Sequence, residues 1–318
     1  MPAIAHDDPT PRRPTTIDDL DHHLIDLLVE DGRATTGSLA AEVELSTDAV
    51  RDRVRRLIDE GVVVIQGSIN PGTVGLRMSA LVGVKVRGPV DPVAQQIAAI
   101  ELVDFVACTA GSFDLLVELV AADREEVYRI LEDHLRPIEQ VDALEVFLYL
   151  SVEKWSSNSA PHVAVPGRDI DVDDRQIINA LRADGRLSYR ALAAQTGINY
   201  PTARRKAIAL IDAGIIRITT IVNRMATGER VSAAIGVNVD GPVDPVLHEL
   251  ARIEEVLVVT VCAGRFDLFL DVETTSDDAM RTLVFDTIRG IDGVVATETF
   301  HYLHITKVPF SWMLPTGA

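Results

Sequence analysis

The sequence contains two clusters of cationic side chains, each spaced so that several of them share the exposed face of a helix. Guanidinium groups on the exposed face of a helix can fork onto guanine in the major groove of DNA or hold backbone phosphates. The alternative is a solvated basic face that only pairs with nearby carboxylates. Both interpretations apply to both clusters. The first cluster is Arg51, Arg53, Arg55 and Arg56, and the second is Arg204, Arg205 and Lys206.

A Gly-x-Phe-Asp turn between apolar runs is the second chemical feature, and it occurs at residues 111–114 and 264–267. A glycine turn exposes backbone N–H groups that can hold a carboxylate, and an aspartate can hold an ammonium group. The same pattern is also that of a plain hairpin turn with a packed phenylalanine. The residues alone leave both interpretations open.

Both features recur because the chain is an internal duplication with an offset of 153 residues. Asp31-Gly32-Arg33 returns as Asp184-Gly185-Arg186, and Gly88-Pro89-Val90-Asp91 returns as Gly241-Pro242-Val243-Asp244. One offset serves from Asp31 to Lys154 without insertion or deletion. A period this long indicates a duplicated module of one or two small domains rather than a solenoid.

Each copy begins with apolar residues at helical spacing, which predict three short helices in a helix-turn-helix arrangement. Ser46 is placed to cap the third helix of copy one, and Asn199 takes that position in copy two. Glu44 stands at the turn between helices where copy two has Gly197, and a turn that needs a positive φ is less comfortable for Glu.

The two helical units differ in charge. Residues 18–60 carry five arginines against twelve acids, a net of −7, whereas residues 168–217 carry nine Lys or Arg against six Asp, a net of +3. Tyr189, Arg190 and Tyr200 lie near the second cationic cluster. Because phosphate contact needs local positive charge, the second unit is the better candidate for tight DNA binding.

The remainder of each copy alternates at the period of strands and helices in the order βαββαβ, which predicts a ferredoxin-like domain. One face of such a sheet stays uncovered, so we expect it to be buried against a second sheet. The fold class is therefore α+β, a tandem duplication of a winged-type helix-turn-helix followed by a ferredoxin-like domain. The predicted segments are a disordered tail at 1–16, helix-turn-helix units at 17–66 and 169–219, ferredoxin-like domains at 75–154 and 228–308, a linker at 155–168 and a tail at 309–318.

Bulk composition limits the classes of function. No stretch approaches the roughly 18 apolar residues of a membrane span, and no secretory signal is visible, so a cytoplasmic protein without membrane contact is expected. The net charge of −18 does not exclude DNA, because binding uses a local patch. No nucleophile triad, metal-ligand spacing or phosphate loop is present, so no catalytic residue, metal or cofactor is predicted.

The whole order, found twice at fixed spacing, resembles the Lrp/AsnC (leucine-responsive, or feast/famine) family of transcription regulators. The resemblance implies a regulator that binds double-stranded DNA and assembles through face-to-face sensor sheets into a homo-oligomer. It also implies a small-molecule effector, often an amino acid, near the Gly-x-Phe-Asp turns. In this double-length chain we expect the two sensor domains to pair with each other.

The DNA-binding positions predicted on this basis are Ser46, Thr47, Arg51, Arg53, Arg55, Arg190, Asn199, Tyr200, Thr202, Arg204, Arg205 and Lys206. The effector-binding positions that the resemblance implies are Gly111, Ser112, Phe113, Asp114, Gly264, Arg265, Phe266 and Asp267. Arg265 could select a more anionic ligand or could fill the pocket itself.

Two other functions remain open from the sequence. Some proteins with this same two-domain layout are sirohaem decarboxylases, which also occur as paired or fused halves. That resemblance would imply His and Arg residues in the sensor region that bind the carboxylates of the tetrapyrrole. Here the matching strands contain neither residue type, and His301 and His304 fall on opposite faces of the last strand. The second alternative is a co-regulator that has lost DNA binding. The acidity of the first helical unit is the observation that suggests it.

Overall fold

The computed structural model describes residues 16–155, 170–223, 227–228 and 230–308, so the predicted tails and most of the linker lie outside the described residues. Within these ranges no helix is long and apolar enough to cross a bilayer.

Each copy begins with the three helices that the apolar spacing predicts. The side chain of Ser46 accepts a hydrogen bond from the Ala49 amide, and that of Asn199 accepts one from the Thr202 amide, so both predicted caps are confirmed. The turn before the third helix has a positive φ in both copies, 54° at Glu44 and 73° at Gly197. The helices are α1 (Asp19–Glu30), α2 (Thr36–Glu42) and α3 (Thr47–Asp59), then α6 (Val172–Ala183), α7 (Tyr189–Thr196) and α8 (Tyr200–Asp212).

The strand that follows each helical unit pairs across the two copies. β1 (Val63–Ile69) runs antiparallel to β6 (Ile216–Val222), and Gln66 lies opposite its own counterpart in the repeat, Thr219. A local pseudo-twofold axis therefore passes through this ladder. The wing expected beside each helix-turn-helix is in this way shared between the units.

The sensor domains have the predicted βαββαβ order, with two helical segments on the outer face of each sheet. Copy one contains β2 (Met78–Val86), α4 (Val90–Ala98), β3 (Val103–Ala110), β4 (Leu115–Ala121), α5 (Arg124–Arg129) and β5 (Val141–Trp155), and α5 continues as a π-helical turn over Ile130–Leu135. Copy two contains β7 (Val231–Val239), α9 (Val243–Leu250), β8 (Val256–Ala263), β9 (Leu268–Thr274), α10 (Asp277–Thr282) and β10 (Val294–Lys307).

The two sheets join at their edges as well as facing each other. β5 of copy one pairs with β8 of copy two, and β10 pairs with β3, so the eight strands close into one barrel. The expectation that the uncovered sheet faces pack together is confirmed, because six phenylalanines and two tyrosines from both copies fill the interior. Edge closure leaves no sensor strand unpaired, which removes the hazard that an open edge presents.

Candidate functional site

The face of the second helical unit that a DNA helix would meet is cationic and open. Arg204 and Arg205 are exposed on α8, and Arg190 is exposed on α7 beside them. The Tyr200 side chain is 48% exposed at the first turn of α8. These groups can contact phosphates through their charge and base edges through their forked N–H donors.

The same face of the first unit has acids where the second has none. Through the offset of 153, Glu42, Glu44, Asp48 and Asp52 correspond to Gln195, Gly197, Pro201 and Arg205, and all four acids are exposed. The guanidinium of Arg51 is bound to Asp48 at 2.5 Å. Arg55 remains exposed, but the carboxylates around it oppose the approach of phosphate.

Two of the side chains predicted to contact DNA form ion pairs within their own helical unit instead. Nη1 of Arg53 lies 2.8 Å from Oδ1 of Asp21, a buried carboxylate of α1. Its counterpart Lys206 lies 3.0 Å from Asp174 of α6 and is itself 13% exposed. Since both cations turn inward to bind the first helix of their own unit, they hold the helices together rather than joining the exposed face.

The repeated Asp-Gly-Arg segments join the two helical units, a role that the sequence analysis missed. Arg33 donates to the carbonyl of Leu187 at 3.0 Å, and Arg186 donates to the carbonyls of Gly32 and Ala34 at 3.0 and 2.9 Å. Each arginine thus crosses to the other copy. The only sequence signal for this was the recurrence of the motif at the end of a helix.

At one mouth of the barrel, the side chain of Arg265 extends from the second Gly-x-Phe-Asp turn to the first. Its Nε donates to Glu145 at 3.1 Å and its Nη1 donates to Glu298 at 3.0 Å. Nη2 donates to the hydroxyl of Ser112 at 3.0 Å. The two glutamates are counterparts in the repeat, and the sequence analysis missed both.

The phenylalanines of the turns are part of the barrel core. Phe113 stacks on Phe300 with centroids 5.3 Å apart, and Phe266 stacks on Phe147 at 5.7 Å, each partner coming from the other copy. A side chain at Gly83 would overlap the Phe113 ring, with a Cβ only 2.5 Å from it. The absence of a side chain at Gly83 therefore lets the Phe113 ring of the turn pack directly against β2.

The two aspartates of the turns bind backbone. Oδ2 of Asp114 accepts from the amide of Val86 at 2.8 Å, and Oδ2 of Asp267 accepts from the amide of Val239 at 2.8 Å. This contact is the one expected of a structural hairpin aspartate. A ligand ammonium would have to share these carboxylates with the backbone.

A shallow cavity of about 380 Å³ opens beside Arg265 on the copy-one side. Lys85, Ser112 and Glu145 contribute its polar groups together with Arg265. In copy two the counterpart of Lys85 is Asn238, whose amide donates to the carbonyl of Arg265 at 2.6 Å. The two sides of the barrel mouth are therefore chemically different.

Carboxyl and phenol groups lie at the other end of the barrel interior. Burial raises the pKa of Asp271 to about 6, although the Tyr302 hydroxyl donates to its carboxylate. Burial and the nearby Asp104 and Asp271 carboxyls hold the pKa of Glu118 well above its usual range. These acids face inward because they alternate with residues of the outer cores along β4 and β9.

A buried charge cluster connects the second helical unit to the sensor barrel. Arg182 of α6 and Asp104 of β3 are 2% and 3% exposed and attract each other. Burial lowers the pKa of the nearby Lys307 to about 8 despite the carboxylate of Asp104. The counterparts of Arg182 and Asp104 are Val29 and Leu257, so this link has no equivalent at the first unit. Among the described residues, no group of three or more His, Cys, Asp or Glu could hold a metal ion.

Two cationic or mixed-charge helix-turn-helix faces above a closed, paired sensor barrel define a DNA-binding regulator with a ligand-binding domain. The AsnC-type helix-turn-helix domain matches residues 17–58 and 170–206, and the Lrp/AsnC ligand binding domain matches residues 79–158 and 232–310. The chain belongs to the Lrp/AsnC family, in a form that carries both domains twice.

Similar proteins of known name agree with this membership. The transcriptional regulator LrpA of Mycobacterium tuberculosis is 39% identical over 127 residues, covering 38% of this chain and 81% of that protein. The regulator AldR of the same organism is 31% identical over 154 residues, covering 47% of this chain and 86% of its own length.

One solved structure shares the duplicated architecture over nearly the full length. The siroheme decarboxylase NirDL aligns with a TM-score of 0.60 at 17% identity, covering 93% of this chain and 95% of that chain. At that identity the likeness concerns the fold alone. It shows that two helix-turn-helix units and two sensor domains in one chain form a recurring arrangement.

Proposed function

We propose that this Lrp/AsnC-type regulator contacts DNA mainly through its second helix-turn-helix unit, so that one chain reads an asymmetric operator. The observation that carries the proposal is the exchange of four exposed acids in the first unit for uncharged or basic residues in the second. Phosphate binding depends on such local charge.

The proposed contacts are those that remain exposed on the two faces. In the second unit Arg204 and Arg205 supply phosphate and base contacts from α8, while Asn199 and Thr202 fix the start of that helix. In the first unit Arg55 is the main contributor. The proposed set is Arg190, Asn199, Tyr200, Thr202, Arg204 and Arg205, with a weaker set of Ser46, Thr47, Arg51 and Arg55.

We propose that a small effector, an amino acid or a related metabolite, binds at the barrel mouth beside the Gly-x-Phe-Asp turns. The cavity there combines the ammonium of Lys85 with the carboxylate of Glu145, a pair that suits a zwitterion. Ser112 and Phe113 line the cavity from the copy-one turn and Arg265 lines it from the copy-two turn. The proposed effector set is these two turns: Gly111, Ser112, Phe113 and Asp114, with Gly264, Arg265, Phe266 and Asp267.

Further assembly of chains into a homo-oligomer in the cytoplasm is also proposed. Leu150 and Leu303 are counterparts on β5 and β10 and are 66% and 65% exposed. Large apolar side chains exposed at equivalent points of a closed barrel favour contact with another copy.

The test is selection of bound duplexes from a random pool by the full-length protein at one fixed, moderate salt concentration. An enriched asymmetric motif supports reading by a single dominant unit, and a palindromic motif contradicts the proposed asymmetry. Failure to enrich, with and without an amino-acid mixture, would contradict specific DNA binding. The co-regulator and decarboxylase alternatives would then be tested by partner capture and by tetrapyrrole binding.

A further inference from the structure

Arg265 occupies a site that has every element of a guanidinium receptor. Three acceptors, Glu145, Glu298 and Ser112, take three different N–H groups of its planar fork. The Cζ atom lies 5.2 Å from the centroid of the Phe113 ring and 4.6 Å from that of Phe266. Paired carboxylates with aromatic faces are the surroundings that favour a guanidinium over an ammonium.

The site is built by both copies of the repeat and holds one cation. Glu145 and Glu298 are 153 residues apart, as are Phe113 and Phe266, so each copy supplies one carboxylate and one ring. A group bound by both members of each pair lies at the local pseudo-twofold axis. Only one guanidinium can be there at a time.

The backbone of copy two is adapted to presenting this arginine. Asn238 donates to the carbonyl of Arg265, where copy one has Lys85 at the same position. A lysine at position 238, in addition to Lys85 in the adjoining cavity, would place a further cation near the guanidinium, whereas the Asn238 amide fixes the turn without adding charge. The side chain of Arg265 is nevertheless 40% exposed, so solvent reaches the site.

From these contacts we propose that Arg265 is an intramolecular ligand, a tethered occupant of a guanidinium-binding site formed by Glu145, Glu298, Ser112, Phe113 and Phe266. Free ligands of the same class, monosubstituted guanidinium compounds such as arginine or agmatine, compete with a group whose local concentration is set by its own chain. The wild-type protein therefore does not respond to them at low millimolar concentrations. The regulatory consequence rests on the effector site proposed above, but the receptor geometry does not.

The experiment is chemical rescue of Arg265→Ser with guanidinium chloride and L-arginine as probes. This substitution gives copy two the serine that copy one has at the same position. Titration calorimetry should show one saturable site per chain in the variant, with a dissociation constant on the order of millimolar, as expected for so small a ligand. The probes should also recover the Tm that the variant loses, and sodium chloride of equal ionic strength should not. Adding Glu298→Gln to the variant should weaken binding by about tenfold or more.

Two controls accompany the titration. Arg281→Ser removes a surface arginine of the same copy, held by Asp278 and Asp286, and should acquire no guanidinium site. Arg265→Lys keeps the charge but loses the fork, so it should bind guanidinium more weakly than Arg265→Ser. Absence of saturable binding in Arg265→Ser, or equal binding in the wild type or in Arg281→Ser, would overturn the proposal.

A measurement on the wild type removes any dependence on how well the variant folds. The Nε–H of Arg265 should give a resolved, slowly exchanging nitrogen-15 resonance that is absent from the lysine variant; averaging with the other arginines would contradict the fixed site. DNA selection by the wild type is scored separately. Failure of the DNA selection would reject the proposed function but would not affect the guanidinium site. Failure to bind guanidinium would reject the site but would not affect the proposed function.

Discussion

Ser112 and Arg265 occupy the same position in the two copies of the repeat, and Nη2 of Arg265 donates a hydrogen bond to the hydroxyl of Ser112 at 3.0 Å. Equivalent residues meet in this way only at a twofold axis. In a symmetric dimer of single-copy chains the two axial positions would be identical, and two arginines there would repel each other. Fusion of the copies permits one cation and one hydroxyl there.

The charge asymmetry of the helical units predicts unequal loss of DNA binding. Arg204→Ala combined with Arg205→Ala should weaken binding by about tenfold or more and reduce the magnitude of the negative slope of log K against log salt by up to about 2. Arg51→Ala combined with Arg55→Ala should have a smaller effect, because Asp48 already neutralises Arg51. Fluorescence titration over a salt series distinguishes them.

The control for that pair is Arg124→Ala combined with Arg129→Ala, two exposed arginines on α5 of the sensor domain. This variant changes the net charge by the same amount away from the proposed interface. Equal losses in all three double variants would mean that net charge, rather than the second unit, governs binding.

The turn aspartates should contribute to stability through their backbone contacts. Asp114→Ala removes the acceptor of the Val86 amide, and Asp267→Ala removes that of Val239, so each should lower the free energy of unfolding by about 1–2 kcal/mol. The Asn variants keep an acceptor and should recover part of the loss. Urea denaturation measures the difference, and alanine variants as stable as the wild type would leave ligand binding as the better role.

The interior carboxyl of Asp271 should make stability depend on pH. Its folded pKa of about 6 lies above the unfolded value, so the native state binds more protons between about pH 4 and 6. The contribution of Asp271 to the free energy of unfolding therefore falls as the pH rises through this window and levels off above it. Asp271→Asn should remove this contribution and stabilise the protein by up to about 3 kcal/mol at pH 8, with no gain below pH 4.

Asp292→Asn provides the comparison, because Asp292 is exposed in the turn before β10. Thermal unfolding from pH 4 to pH 8 should give parallel curves for this variant and the wild type. The prediction is contradicted if the stability of the wild type rises from pH 4 to pH 6 and Asp271→Asn gives the same curve. The pKa of Asp271 would then not be raised in the folded protein.

The link between the second helical unit and the barrel should be sensitive to the loss of one partner. Asp104→Leu leaves Arg182 and Lys307 buried without that carboxylate and should cost about 3–5 kcal/mol. Adding Arg182→Val gives both positions the residues of the other copy and should recover much of the loss. Denaturation of the wild type and both variants measures these differences, and a double variant no more stable than Asp104→Leu alone would rule out coupling between the two residues.

Local patterns in the sequence carried much of the architecture. The offset of 153 residues predicted two copies, Ser46 and Asn199 marked the start of the third helices, and the alternation of apolar residues predicted the strand order. The uncovered sheet face predicted the paired interior. These features depend on neighbours along the chain or on which side of an element is apolar, and a sequence displays both directly.

The duplicated architecture, the family and the more cationic helical unit could thus be predicted from the amino-acid sequence alone. Which cations stay exposed depends instead on contacts between distant residues: Arg53 binds Asp21 from 32 residues away, and Arg265 binds Glu145 from 120 residues away. The edge-to-edge closure of the sheets is likewise a feature of the tertiary structure. No periodicity encodes these contacts, because they depend on how two copies rotate onto one axis, and that rotation is set by the packing of the whole barrel.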